Sequence, residues 1–139
     1  MCLYLSKNAR LMAAKKPIHI YKLLFITPNE KRLVTPYRFF PVEFNKKGTL
    51  TMKAKIGEKK SGVYRPSLYR IEEGIHAYSK RRIAKNEVYD MSVDKLYHAV
   101  IPAGATYYNS EDHVEVVADK IIVFETYELY KKYMAKWGK

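Results

Sequence analysis

The chain has 139 residues, 47% of them hydrophobic, with a net charge of +12 and a single cysteine. This length fits one hydrophobic core, and the composition excludes a disordered, low-complexity chain. A lone cysteine excludes an internal disulfide and any multi-cysteine zinc site, which favours a reducing, cytoplasmic setting.

The first half of the chain is predicted to be rich in strands. Residues 1–16 could form a basic arm or a short helix. Ile18–Ile26 is rich in β-branched and aromatic residues and predicts a core strand, and a second strand is expected within residues 32–44. Residues 45–48 read as a hairpin connection from that strand into a strand over residues 49–56.

The segment 49–56 has the clearest alternation in the sequence. One face carries the apolar side chains Leu50, Met52, Ala54 and Ile56. The other carries the polar side chains Thr49, Thr51, Lys53 and Lys55. Because successive side chains of a strand point to opposite faces, we expect the two lysines to face water.

The second half predicts further strands around one short helix. Strands are expected at Gly74–Ser79 and Leu96–Ile101, with a weak helical pattern over Lys80–Tyr89 between them. Val114–Ala118 and Lys120–Phe124 predict two strands, or one strand interrupted between them.

A helix is predicted over residues 126–137. Thr126 is a suitable N-cap, and Glu128 places negative charge in the first turn, where the helix dipole favours it. One face is predicted to be buried, with the i, i+3, i+4, i+7 spacing of Tyr130, Tyr133, Met134 and Trp137.

Together these elements predict an α+β fold. We expect a mostly antiparallel sheet with the C-terminal helix packed across it. Residues 1–139 are predicted to form a single domain, since neither a composition shift nor a long repeat divides them.

Positive charge is confined to the first half of the chain. Residues 1–70 carry 16 Lys and Arg against 3 Asp and Glu, whereas residues 71–139 carry 10 against 11. Such a field favours polyanionic partners, because it steers their approach and releases their counterions. The densest cluster consists of Lys46, Lys47, Lys53, Lys55, Lys59 and Lys60. The alternative is a solvated edge strand whose lysines prevent aggregation.

Three tyrosine–arginine pairs are further binding candidates. They are Tyr37 with Arg38, Tyr64 with Arg65, and Tyr69 with Arg70. An arginine can hold a phosphate in a bidentate contact while the neighbouring ring stacks on a base. The alternative is ordinary strand alternation, with tyrosine in the core and arginine in solvent.

Other chemistry has weak support in the sequence. The four histidines show no metal-ligand spacing, so we expect no metal site. We find no catalytic motif. His76 lies two residues from Tyr78 on one face of a predicted strand, which a site could use, although a core or rim histidine is the alternative.

Three segments in order carry a resemblance: Gly74–Ser79, then Tyr97–Tyr108, then Val114–Val123. They resemble small uncharacterised proteins of phages and their bacterial hosts, which implies a phage-encoded protein that acts against a host system. More distantly, the same segments resemble the ADP-ribosyltransferase fold. That resemblance implies an NAD-using enzyme with Glu115 as its catalytic glutamate and His76 on the site strand.

We interpret the chain as a small, non-enzymatic, cytoplasmic binding protein without a cofactor. Its basic surface would engage nucleic acid, a nucleoprotein or an acidic host protein, and not a membrane. One alternative is the ADP-ribosyltransferase-like enzyme, with NAD as its cofactor. Another is a structural or assembly protein of a phage particle.

Overall fold

The computed structural model describes residues 3–6, 9–27, 32–35, 41–61, 68–81, 84, 94–110 and 114–138. In chain order the elements are β1 (Leu3–Ser6), β2 (Met12–Ala13), β3 (Ile18–Ile26), β4 (Leu33–Val34), β5 (Thr49–Lys53), β6 (Lys60–Ser61), β7 (Leu68–Ile71), β8 (Ile75–Tyr78), β9 (Asp94–Ile101), β10 (Thr106–Asn109), β11 (Glu115–Ala118), β12 (Lys120–Phe124) and α1 (Tyr127–Trp137). The described residues contain twelve strands, and α1, with eleven residues, is the one long helix among them. The predicted α+β class is therefore wrong, because the described chain is mostly antiparallel β-sheet.

Two features explain this correction. First, α1 has no fully buried residue, so it packs against the sheet without forming a core layer of its own. Second, the predicted arm or short helix over residues 1–16 is replaced by β1 and β2 in its described part. Met12 in β2 pairs with Tyr107 in β10, a partner far along the chain that overrides local helical preference.

The strands form a large sheet and a small one. The large sheet has the order β2-β10-β11-β8-β3-β9-β12-β5, with β4 paired to β3, and the small sheet has the order β1-β7-β6. Strands β2 and β5 are therefore the two edges of the large sheet. One face of this sheet buries the main apolar core, including Ile20, Ala99 and Ile121. We call the opposite side, which carries His19 and His98, the outer face.

A second apolar cluster joins the two sheets. Leu5 from β1, Ile71 from β7 and Val117 from β11 are all fully buried there. Because Val117 lies on the outer face of the large sheet, the small sheet covers that part of the face. Helix α1 packs on the part of the outer face formed by β3, β9 and β12.

Some predicted elements are confirmed and one pairing is wrong. The predicted strand Ile18–Ile26 has those same bounds in β3. Residues 45–48 form a turn in which the Asn45 amide donates to the Thr49 carbonyl at 2.9 Å. The strand that follows, β5, pairs with β12 and with none of the described residues of 32–35 and 41–44, so the predicted hairpin is wrong for the described part of the chain. Of the described residues in this range, 32–35 and 41–44, the two residues of β4 and one isolated bridge pair as strand, and the remainder of the predicted second strand lies outside the described residues.

The predicted C-terminal helix begins at its predicted cap. The Thr126 hydroxyl oxygen accepts a hydrogen bond from the Leu129 amide at 3.3 Å. Trp137, predicted to be buried, is 56% exposed, because it lies in the last turn of α1. Of the weak helical pattern at residues 80–89, Arg81 and Ala84 are helical, and most of the other residues lie outside the described ranges.

Candidate nucleic-acid interface

The edge strand β5 places two lysines of the large sheet directly opposite each other. Lys53 in β5 pairs in register with Lys120 in β12, so both point to the same face of the sheet. Phe124 shares that face by alternation along β12, and it contacts Tyr133 of α1 at a ring-centroid distance of 5.3 Å. The lysine pair therefore lies on the outer face, the side on which α1 packs.

The burial pattern of the edge strand continues beyond its end. Ala54 and Ile56 are half-buried whereas Lys55 is exposed, as the sequence alternation predicts. The Ala54 amide donates to the Asp119 carbonyl at 3.0 Å, which extends the pairing past Lys53. Among the described residues, Lys53, Lys55 and Lys120 make no ion pair. Like charges directly opposite each other in a sheet are destabilising, and an anion placed between them relieves that repulsion.

Lys46 and Lys47 lie at another place, in the turn before β5. The Lys47 amide donates to the Asn45 side-chain oxygen at 2.9 Å, which orders the turn. Gly48 has a φ of +80° and lies against Leu129 of α1. Both lysines are exposed.

Lys60 lies in β6 of the small sheet, and Lys59 directly precedes that strand. The Lys59 ammonium donates to the Ala9 carbonyl at 2.9 Å and lies 5.7 Å from the centroid of the Tyr69 ring. The Lys60 ammonium is 3.7 Å from a carboxylate oxygen of Glu72. The hydrogen bond of Lys59 and the ion pair of Lys60 occupy their ammonium groups, so both are poorer candidates for binding phosphate.

The tyrosine–arginine pairs are only partly described. Tyr37, Arg38, Tyr64 and Arg65 lie outside the described residues. Tyr69 is half-buried and packs against the cluster that joins the two sheets. The backbone of Arg70 pairs with Tyr4 on one side and Lys60 on the other.

Helix α1 presents two exposed aromatic rings, each beside a lysine. Tyr127 is 48% exposed, and the Lys131 ammonium lies 5.0 Å from its ring centroid. Trp137 is 56% exposed, and the Lys136 ammonium lies 5.2 Å from its ring centroid. Sequence reasoning missed this arrangement because the apolar spacing assigned Trp137 to a buried face.

Two histidines that are distant in the sequence meet on the outer face. His19 Nε2 and His98 Nδ1 are 2.9 Å apart, and the ring centroids are 5.1 Å apart with an angle of 15° between the rings. The centroid distance exceeds the nitrogen–nitrogen distance by 2.2 Å (5.1 minus 2.9), which is about the sum of the two ring radii. Both nitrogens therefore lie close to the line that joins the centroids, and the two rings lie nearly in one plane. One nitrogen donates its proton and the other accepts it. Because the two nitrogens point at each other, they leave no open metal position between them.

Tyrosines surround this pair. The Tyr130 ring stacks on His19 with centroids 4.2 Å apart, and the Tyr127 ring lies 4.7 Å from that of His98. Tyr21 lies 4.6 Å from His19 on the same strand. We call these five side chains the histidine–tyrosine cluster. It fixes α1 to the sheet through ring contacts.

Burial keeps the two imidazoles neutral. Burial, with the neighbouring His98, lowers the pKa of His19 to about 4. Burial, with the charge of Arg81, lowers the pKa of His98. Burial, with Tyr21 and Tyr127 close by, raises the pKa of the Tyr130 hydroxyl. At neutral pH the cluster is therefore uncharged.

Lys22 is a buried cation that sequence reasoning overlooked. Its side chain is only 8% exposed, and its ammonium donates to the His76 carbonyl at 2.8 Å. Desolvation lowers the pKa of Lys22 to about 8. A signal exists in the sequence, since Lys22 interrupts the apolar alternation of Ile18, Ile20 and Leu24.

The two residues of the enzyme alternative lie on neighbouring strands. Glu115 in β11 pairs with Tyr78 in β8, and Val117 pairs with His76, so the candidate pair shares a face but is offset by two residues. His76 Nε2 is 2.9 Å from the Glu72 carbonyl, which accepts its proton. The Glu115 amide donates to the Ser110 hydroxyl at 3.1 Å.

Comparisons with known proteins give no assignment. No protein-family model, no curated protein and no solved structure matches this chain. Across the described ranges, no three or more His, Cys, Asp or Glu side chains group closely enough to hold a metal ion. None of the described helices combines the length and the apolar character needed to cross a membrane.

Proposed function

We propose that the protein binds nucleic acid through the outer face of its large sheet and the adjoining helix. The observation that carries this proposal is the cross-strand couple of Lys53 on the edge strand β5 and Lys120 on β12, neither of which forms an ion pair with a described residue. We call the proposed contact surface the basic face, and it comprises Lys53, Lys55, Lys120, Lys131 and Lys136. The lone cysteine of the chain supports a cytoplasmic setting for such a protein.

A bound anion would relieve the charge repulsion between Lys53 and Lys120. Lys53 and Lys120 repel each other across the ladder, and a phosphate between them converts that repulsion into two attractions. A polyanion also releases condensed counterions when lysines replace them, which drives binding at moderate salt. Contacts to the phosphate backbone of the nucleic acid do not distinguish one base from another, so we expect little sequence preference.

The first test is binding of a fluorescently labelled oligonucleotide, followed by anisotropy across a salt series. With three to five phosphate contacts, we expect a log–log salt slope between about −2 and −3.5 for a single strand and between about −3 and −4.5 for a duplex. Replacement of the couple in Lys53→Glu/Lys120→Glu is expected to weaken binding roughly tenfold or more at low salt.

A matched control separates a site from general charge. The exposed Lys15 and Lys16 lie next to β2, at the opposite edge of the large sheet. Lys15→Glu/Lys16→Glu makes the same change in net charge and should lower affinity far less. Equal losses in the two double variants would show that net charge alone drives binding, and absence of binding at low salt would refute the proposal.

A further inference from the structure

The exposed apolar side chains are unevenly distributed over the described residues. Four large ones are exposed, namely Leu11, Met12, Tyr127 and Trp137, and two of these are rings on α1. An exposed indole or phenol ring leaves a large apolar surface in water, and such surfaces often mark binding sites. Both rings stand beside a lysine of the basic face, at 5.0 and 5.2 Å.

The chemistry of a ring beside an ammonium group suits one class of ligand. A nucleotide offers a flat base next to a negatively charged phosphate, so the ring can stack on the base while the lysine contacts the phosphate. A duplex stacks its bases internally and presents only phosphates and groove edges to a protein surface. An exposed aromatic ring on a helix can therefore stack on the free bases of a single strand, whereas a duplex offers it no free base.

From this arrangement we infer that the protein prefers single-stranded nucleic acid, with bases stacked on Tyr127 and Trp137. The inference rests on the proposed function, because the lysines of the basic face supply the phosphate contacts. Tyr133 lies against Trp137 with ring centroids 6.4 Å apart, which supports the indole from the sheet side. Stacking on such rings tolerates any base, in agreement with binding that lacks sequence preference.

Trp137 provides the readout, since it is the only tryptophan in the chain. We expect its emission to be quenched by a single-stranded oligothymidine, and not by a duplex of equal length. An abasic strand of the same length should bind through its phosphates, with the emission unchanged. We expect each stacked base to contribute about tenfold, so single strands that stack on both rings should bind roughly a hundredfold more tightly than duplexes.

The matched variants are Trp137→Leu and Tyr127→Leu, followed by anisotropy. Trp137→Leu changes an exposed side chain and should retain the fold. Tyr127→Leu also removes the ring contact with His98 that helps to hold α1 on the sheet, so near-ultraviolet circular dichroism checks that the helix stays docked. Each variant should weaken single-strand binding about tenfold and leave both duplex binding and the salt slope unchanged. If single strands and duplexes bind equally and the emission does not change, the stacking inference is wrong while the proposed function stands. If neither binds at low salt, the proposed function itself is refuted.

Discussion

The stability of the protein is expected to rise between pH 8 and pH 10.5 because of Lys22. Its ammonium is buried and donates to the His76 carbonyl at 2.8 Å, and desolvation lowers its pKa from 10.5 to about 8. Below pH 8 the folded and unfolded chains both hold this proton. Between the two values the unfolded chain holds it more often, so the free energy of unfolding increases with pH. The 2.5-unit difference corresponds to about 3 kcal/mol.

The measurement is urea unfolding of the wild type and of Lys22→Met at half-unit steps of pH. Subtraction of the two curves cancels the ionisation of tyrosines, which both proteins share. The wild type should gain stability relative to the variant as the pH rises. Lys95→Met removes an exposed lysine from the neighbouring β9 and serves as the control. Parallel curves for the wild type and Lys22→Met would contradict the burial of this charge.

The second large effect is expected on the acid side and comes from His19 and His98. Burial and the neighbouring imidazole lower the pKa of His19 from 6.5 to about 4, and the pKa of His98 is lowered too. Below pH 6.5 the histidines of the unfolded chain bind protons, whereas His19 and His98 of the folded chain stay neutral. The free energy of unfolding therefore falls as the pH falls toward 4. With allowance for partial exposure, the loss is on the order of 1–2 kcal/mol.

The double variant His19→Asn/His98→Asn should flatten this acid dependence. Denaturant unfolding between pH 4 and pH 7 measures it, and proton NMR of the imidazoles reports the two titrations directly. Because Tyr130 stacks on this pair and the Tyr127 ring contacts His98, near-ultraviolet circular dichroism should show α1 losing its fixed ring contacts in acid. Imidazole resonances of His19 and His98 that titrate at 6.5 would contradict the hydrogen-bonded pair.

Local patterns in the sequence predicted the strands well and their partners poorly. The strand Ile18–Ile26, the alternation in β5 and the Thr126 cap each follow from residues that are neighbours in the chain. Periodicity shows which face of a strand is apolar, but it carries no information about which strand lies alongside. For that reason the sequence predicts a hairpin for β5, whereas the strand pairs with β12.

The same limit applies to the candidate interface. Lys53 was identified from the sequence, but Lys120, directly opposite, was not, because their proximity depends on the β5–β12 register. His19 and His98 are 79 residues apart, and only the β3–β9 pairing brings them together. Trp137 was assigned to the core because apolar spacing on a helix does not reveal how far the supporting sheet extends.

The pairing of β5 with β12 has a consequence during synthesis of the chain. Lys53 ends β5 and Lys120 begins β12, a separation of 67 residues (120 minus 53). At about 5–20 residues per second, a ribosome needs roughly 3 to 13 seconds to make that stretch. Throughout that time β5 emerges without its partner and exposes Leu50 and Met52 to other nascent chains. Positive charge beside an unpaired strand opposes aggregation, so Lys53 protects the polypeptide before any ligand is present.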